Sequence, residues 1–194
     1  MIFYWLFGAA GLAFLAISQK TAIVETWQET GDSWTRFDPL FASIGADYGV
    51  DPKWLKAFAL NESSLGDDSS VARGLEVPTD IEGSKSSDGL SWGLMQVTVK
   101  TGRDYDPECS PEKLNDPKYS IDLAAQLIAD LKKKFTPDDE RRLEWIVKSY
   151  NQGAGNTKKE RAGLLPNHPD GFAQAYWERW KRNFDRVNAK PGAL

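Results

Sequence analysis

Cysteine and histidine are almost missing from this sequence: Cys109 and His168 are the only ones among 194 residues. A lone cysteine excludes an internal disulfide framework and a cysteine-based zinc site. One histidine excludes a histidine-rich metal centre, and nothing else in the sequence suggests a metal or an organic cofactor. A dominant charge is lacking too. With 24 Lys and Arg against 28 Asp and Glu, the net charge of −4 argues against nucleic acid as the main partner. Hydrophobic residues at 41% and charged residues at 27% are enough for a packed core and exclude wholesale disorder. The chemistry on offer is carboxylates, hydroxyls and amides, on a background of eight tryptophans.

Charge is also absent from the first 19 residues, Lys20 being the first charged side chain, and Ile2 to Ile17 is apolar throughout. At about 1.5 Å per residue, roughly 16–20 helical residues approach a hydrocarbon core of about 30 Å. Tyr4 and Trp5 stand where an interfacial anchor belongs. A cleaved signal peptide normally carries a basic start, which this run lacks. Residues 1–24 are therefore predicted to be an uncleaved transmembrane helix, with the signal peptide as the alternative. The charge flanks do not fix its orientation. Residues 25–36 read as a polar stalk, and a compact unit is expected over 37–190.

That unit reads mostly as helices. Asp38-Pro39, Asp51-Pro52 and Asp116-Pro117 each pair a cap with proline at the first helical position. Leu55, Phe58, Ala59 and Glu62 then fall at i, i+3, i+4 and i+7. Ile121 to Phe135 sustains a longer stripe that ends in Lys132–Lys134, cations suited to a helix C-terminus. Thr136-Pro137 is predicted to open another helix, with Leu143, Ile146, Val147 and Tyr150 on one face. Residues 151–157 should break it. A last helix is expected from about Asp170, with Phe172, Tyr176, Trp177, Trp180, Phe184 and Val187 in step. Residues 67–92, rich in Gly, Ser and Asp, read as a long loop with at most a short hairpin. Asp104 and Asp106 read as residues of a solvated loop, and so does His168. The fold class is α+β, predominantly α-helical.

Glu62 is the first candidate for chemistry. It continues the apolar stripe of its helix and lies in the last turn, where burial and the helix dipole both disfavour an anion. A carboxyl group kept protonated in this way can act as a general acid; a half-exposed glutamate at a frayed helix end is the plain alternative. The second candidate is Ser91-Trp92-Gly93-Leu94-Met95-Gln96. Its glycine would let backbone approach a ligand, and Gln96 could donate to and accept from a sugar hydroxyl. A turn packed by Trp92 and Met95 explains it equally well. The third is Ser149-Tyr150-Asn151, where a buried tyrosine ring needs a hydroxyl partner.

Taken in order, Phe58-Ala59-Leu60-Asn61-Glu62-Ser63, Gly93-Leu94-Met95-Gln96 and Ser149-Tyr150-Asn151 resemble the signature of the lytic transglycosylase (SLT-type) domain of the goose-type lysozyme superfamily. Asn115-Asp116-Pro117 with its long helix resembles the segment between the second and third motifs. The resemblance spans roughly Phe37 to Val187. It implies a lysozyme-like fold and cleavage of the β-1,4 bond between N-acetylmuramic acid and N-acetylglucosamine in peptidoglycan, ending in a 1,6-anhydro ring. It also implies that Glu62 is the sole acid and base, with no protein nucleophile, since the substrate's own N-acetyl group assists. Ser63 would orient reacting groups, Gln96 would hold a sugar and Tyr150 would hydrogen-bond close to Glu62. Asn151 would secure the turn or a sugar, and Trp92 would line the cleft.

One departure bears on the product. Goose-type lysozymes carry an aspartate just after the GLMQV stretch, where this sequence has Thr98, and Asp88 is not clearly in register with another. Loss of a water-positioning carboxylate favours the transglycosylase over the hydrolytic lysozyme. A non-catalytic peptidoglycan-binding assembly module is the rival from another class. The expected partners are peptidoglycan strands, a membrane through the N-terminal helix, and virion or secretion-apparatus proteins. The domain would face the cell wall from a membrane anchor, or else the protein would be a bacteriophage virion component.

Overall fold

The computed structural model describes residues 34–66, 91–164, 172–190 and 194. The predicted anchor over 1–24, the stalk up to residue 33, Asp88 and His168 lie outside them. Among the described residues, no helix is long and apolar enough to cross a membrane, and no group of His, Cys, Asp and Glu could hold a metal ion. The chain forms α1 (Asp38–Tyr48) and α2 (Pro52–Ser63), then β1 (Ser91–Trp92) and β2 (Val97–Thr98). The short helices α3 (Val99–Gly102) and α4 (Pro111–Leu114) lead into the long α5 (Pro117–Lys134). Helices α6 (Arg142–Gln152), α7 (Ala154–Arg161) and α8 (Phe172–Ala189) follow. The described residues make a mostly helical α+β fold with a small antiparallel ribbon, consistent with a lysozyme-like domain.

Helix α2 is the centre. Packed by α1, α5 and α8, it buries five consecutive residues, Leu55 to Ala59, which is possible only for a helix covered on every side. Phe58 meets Trp180 of α8 at 5.4 Å between ring centroids. Trp180 is itself stacked between Trp177 and Phe184. This aromatic seam clamps α8 along α2 and sets which α8 residues reach the end of α2.

Two of the three Asp-Pro starts form as predicted: Asp51 accepts from Lys53 N–H and Asp116 from Tyr119 N–H. Asp38 does not cap. It is the first helical residue of α1, and its carboxylate takes the ammonium of the fully buried Lys56 at 2.6 and 2.8 Å. A buried ammonium without such a partner would cost far more than a lost cap. Trp34, placed in the stalk by its sequence, packs against the same unit, its ring facing Lys56, Arg186 and Lys190.

Three other expectations are corrected. Thr136-Pro137 opens two tight turns instead of a helix, with Asp139 N–H bonded to Thr136 O and Arg142 N–H to Asp139 O. Helix α6 starts only at Arg142, whose guanidinium bonds the Phe135 and Lys132 carbonyls at the end of α5. Residues 151–157 do not break the chain as a block; the break is Gly153 alone, at φ +81°, and α7 follows at once. Only Thr157 of α7 is buried, so a polar network secures it: Lys148 pairs with Glu160 at 2.7 Å and Gln152 donates to Glu160 at 2.6 Å. Asp106 is not merely solvated, since it accepts from Tyr119 Oη at 2.6 Å and Lys113 Nζ at 3.1 Å.

Candidate active site

The site is built where α2 ends. After Ser63 the chain turns through Ser64, Leu65 and Gly66 at φ +53°, +61° and +79°, a left-handed turn that stops the helix abruptly. Two non-glycine residues in that region are costly. Burial of Leu65 and a hydrogen bond from Arg36 to its carbonyl hold the turn in place. Glu62 therefore sits in a fixed last turn, over a buried row of Leu55, Phe58 and Ala59.

The loop between the two strands lies against this turn. Ser91 pairs with Thr98 and Trp92 with Val97, and Gly93 to Gln96 reverse the chain with φ +72° at Gly93 and +48° at Gln96. Three side chains from three helices grip its backbone. Ser63 donates to Leu94 O at 2.8 Å, Ser120 accepts from Met95 N–H at 3.1 Å, and Tyr150 donates to Met95 O at 2.7 Å. The three sequence motifs are thus one hydrogen-bonded unit.

Glu62 is half-buried as a residue, and protein packs closely round its carboxyl. That burial raises its pKa from 4.5 to about 7, opposed by a hydrogen bond from Tyr176 and by the positive charge of Arg179. Tyr176, buried on α8, donates its hydroxyl to Glu62 Oε1. The hydroxyls of Tyr150 and Tyr176 are both held well above their usual 10, first by burial and next by the Glu62 charge, so both stay protonated donors. A carboxyl poised near neutrality can give a proton and take one back in the same cycle.

The other predicted residues are placed as follows. Ser63 is buried, and besides the Leu94 bond its oxygen accepts from Gly66 N–H at 3.1 Å. Its hydroxyl ties Glu62's helix to the Gly93–Gln96 turn. Gln96 is half-buried and donates its side-chain amide to Gly93 O at 2.9 Å. Trp92 is half-buried in β1, directly before the turn. Asn151 is exposed in the last turn of α6. The Tyr150 ring packs tilted against Phe58, 4.6 Å between centroids, and its hydroxyl bonds the turn, near enough to Glu62 to feel that group's charge. Gly93 is also corrected: a Cβ there would lie 1.8 Å from Leu114 O, so its bare face meets backbone, not a ligand. Thr98, standing where an aspartate is expected in lysozymes, caps α3 by accepting from Thr101 N–H at 3.0 Å.

Tyr176 and Arg179 were not foreseen as site residues. The available signal was a tyrosine in an aromatic stripe at i, i+4 spacing, whose buried hydroxyl must find a partner. Tyr176→Phe removes the bond that favours the ionised carboxylate. The alkaline limb of any Glu62-dependent activity should then move up by about half a unit to one unit. A pH–rate profile checks this, and a limb that stays put or moves down would contradict the assigned bond.

A mostly helical domain with a small ribbon and an enclosed carboxyl at the end of its central helix is consistent with the lysozyme-like class. The Transglycosylase SLT domain model matches residues 39–163, and the chain belongs to that family. It is also similar to lysozyme g of Epinephelus coioides, at 25% identity over 158 residues covering 77% of each chain.

Proposed function

We propose that the protein is a peptidoglycan lytic transglycosylase that opens the cell wall locally. The observation that carries this reading is the Glu62 carboxyl, raised to about 7 and hydrogen-bonded by Tyr176. Glu62 protonates the glycosidic oxygen between N-acetylmuramic acid and N-acetylglucosamine, and the C1–O bond breaks. The carboxylate so formed takes the proton of the muramic C6 hydroxyl as that oxygen bonds to C1. The enzyme ends protonated as it began, and no water is consumed. Gln96, Trp92 and Asn151 hold the sugars around this bond, and Ser63 positions Glu62 through the turn.

Hydrolysis is the second reading, because of the similarity to lysozyme g. Thr98 speaks against it, since that side chain is engaged as a helix cap and offers no carboxylate to orient a water. In our reading residues 1–24 hold the domain at a membrane facing the wall; a bacteriophage virion component is the alternative setting, with virion or secretion-apparatus proteins as partners. The test is mass spectrometry of muropeptides released from purified peptidoglycan by the full chain. Products one water lighter than hydrolytic ones are expected. Ordinary reducing ends would assign a lysozyme, and no release by folded protein would assign a binding module.

A further inference from the structure

Arg179 lies on α8 one turn beyond Tyr176, and its residue is exposed. An exposed arginine usually samples many rotamers, yet this one is fixed at two points. Its Nε donates to Asn61 Oδ1 at 2.8 Å, and its guanidinium carbon lies 5.6 Å from the centroid of the Tyr176 ring. Asn61 is buried, directly precedes Glu62, and accepts a second bond from Asn183 at 3.3 Å on the same oxygen. With Oδ1 so occupied, the Asn61 amide nitrogen is buried without a hydrogen-bond partner of its own, near enough to the Tyr176 hydroxyl to favour that group's ionised form. Tyr176 in turn donates to Glu62. A chain of polar groups therefore runs from a cation at the surface to the buried carboxyl.

We propose that Arg179 is a positioning residue for Glu62, holding Asn61 and Tyr176 in their places against the carboxyl and supplying a positive charge beside it. The inference rests on Glu62 being the acid and base. Among the described residues, the titratable and charged groups that act on Glu62 are Tyr176 and Arg179 from α8 and Tyr150 from α6; Asp38 of α1 is paired with Lys56, further back along α2. Burial alone would leave the acid too reluctant to give up its proton in the first half of the cycle. Arg179 opposes burial and brings the carboxyl back towards neutrality.

The experiment compares pH–rate profiles of the full chain, Arg179→Gln and Arg179→Lys on purified peptidoglycan. Glutamine keeps a donor for Asn61 but removes the charge, so Glu62 should hold its proton to higher pH. The alkaline limb should rise by about half a unit to one unit. Lysine keeps the charge and should leave the limb in place. A limb unmoved or lowered in Arg179→Gln, or moved equally by both variants, would overturn the inference. A purely structural role would lower the rate by the same factor at every pH. Loss of cleavage in Glu62→Gln, measured alongside, separates the two claims: if that variant remains active, the acid/base reading itself fails, whatever Arg179 does.

Discussion

Glu62→Gln should lower the rate of wall cleavage by roughly a thousandfold or more, because one group is removed from both proton transfers. Glutamine has nearly the same shape and can still accept from Tyr176, so the cleft should persist and binding to purified peptidoglycan should be nearly unchanged. The same variant should be more stable than the parent at neutral and alkaline pH. The native carboxyl has its pKa raised from 4.5 to about 7. The stability this group allows is fully present below its unfolded value and is lost as pH rises through the native one. Glutamine carries no such loss, so the stability gap should open between about pH 4.5 and 7 and level off above that. Because the side chain keeps some contact with solvent, a gain of about 2 kcal/mol at pH 8 is reasonable. Urea unfolding at pH 4 and pH 8 measures it. A variant that cleaves at the parent rate would remove Glu62 from the mechanism; equal stability at both pH values would remove the burial argument.

The parts of this design that could be read from the sequence are those in which a residue acts on its own segment. Asp51 and Asp116 cap the helices they start, because cap and donor are two and three residues apart. The row of Leu55, Phe58, Ala59 and Glu62 shares one face by helical geometry alone, and its three apolar members are buried, although the helix is covered on its other sides as well. What could not be read depends on partners far along the chain. Asp38 has the same local signal as Asp51 but belongs to Lys56, and no local rule weighs a buried ammonium against a cap. Helix α7 was hidden because it carries no apolar stripe and its support, Lys148, lies on another helix. Tyr176 stands 114 residues from Glu62, inside a stripe whose apolar spacing explains it fully as core. The motifs were legible as motifs, while the reason for their order in the chain was not: Ser63, Ser120 and Tyr150 converge on two backbone residues, Leu94 and Met95.

That convergence makes Gly93→Ala the second large effect. Gly93 combines a left-handed backbone, φ +72°, with a face pressed on the Leu114 carbonyl, where a Cβ would come to 1.8 Å of the oxygen and 2.8 Å of its carbon. Neither obstacle is the end of a flexible side chain, so the turn or the α4 backbone must move. Gly49 supplies the control: it too has a positive φ, +63°, but nothing lies within 4 Å of its added Cβ. Gly49→Ala should therefore cost only the conformational term, about 1–2 kcal/mol. Gly93→Ala carries the same term plus an overpacking cost and should lose about 3–5 kcal/mol, a large share of the stability of an ordinary domain. Urea or thermal unfolding of the two variants measures the difference. Where Gly93→Ala remains folded, the turn must have shifted away from Leu114, and Leu94 O and Met95 O go with it. Ser63 and Tyr150 then lose their acceptors together, and cleavage should fall although no residue touching Glu62 has changed. Equal destabilisation in the two variants would show that Gly93 serves only its own backbone angle, and the turn would then owe its position to the three side chains alone.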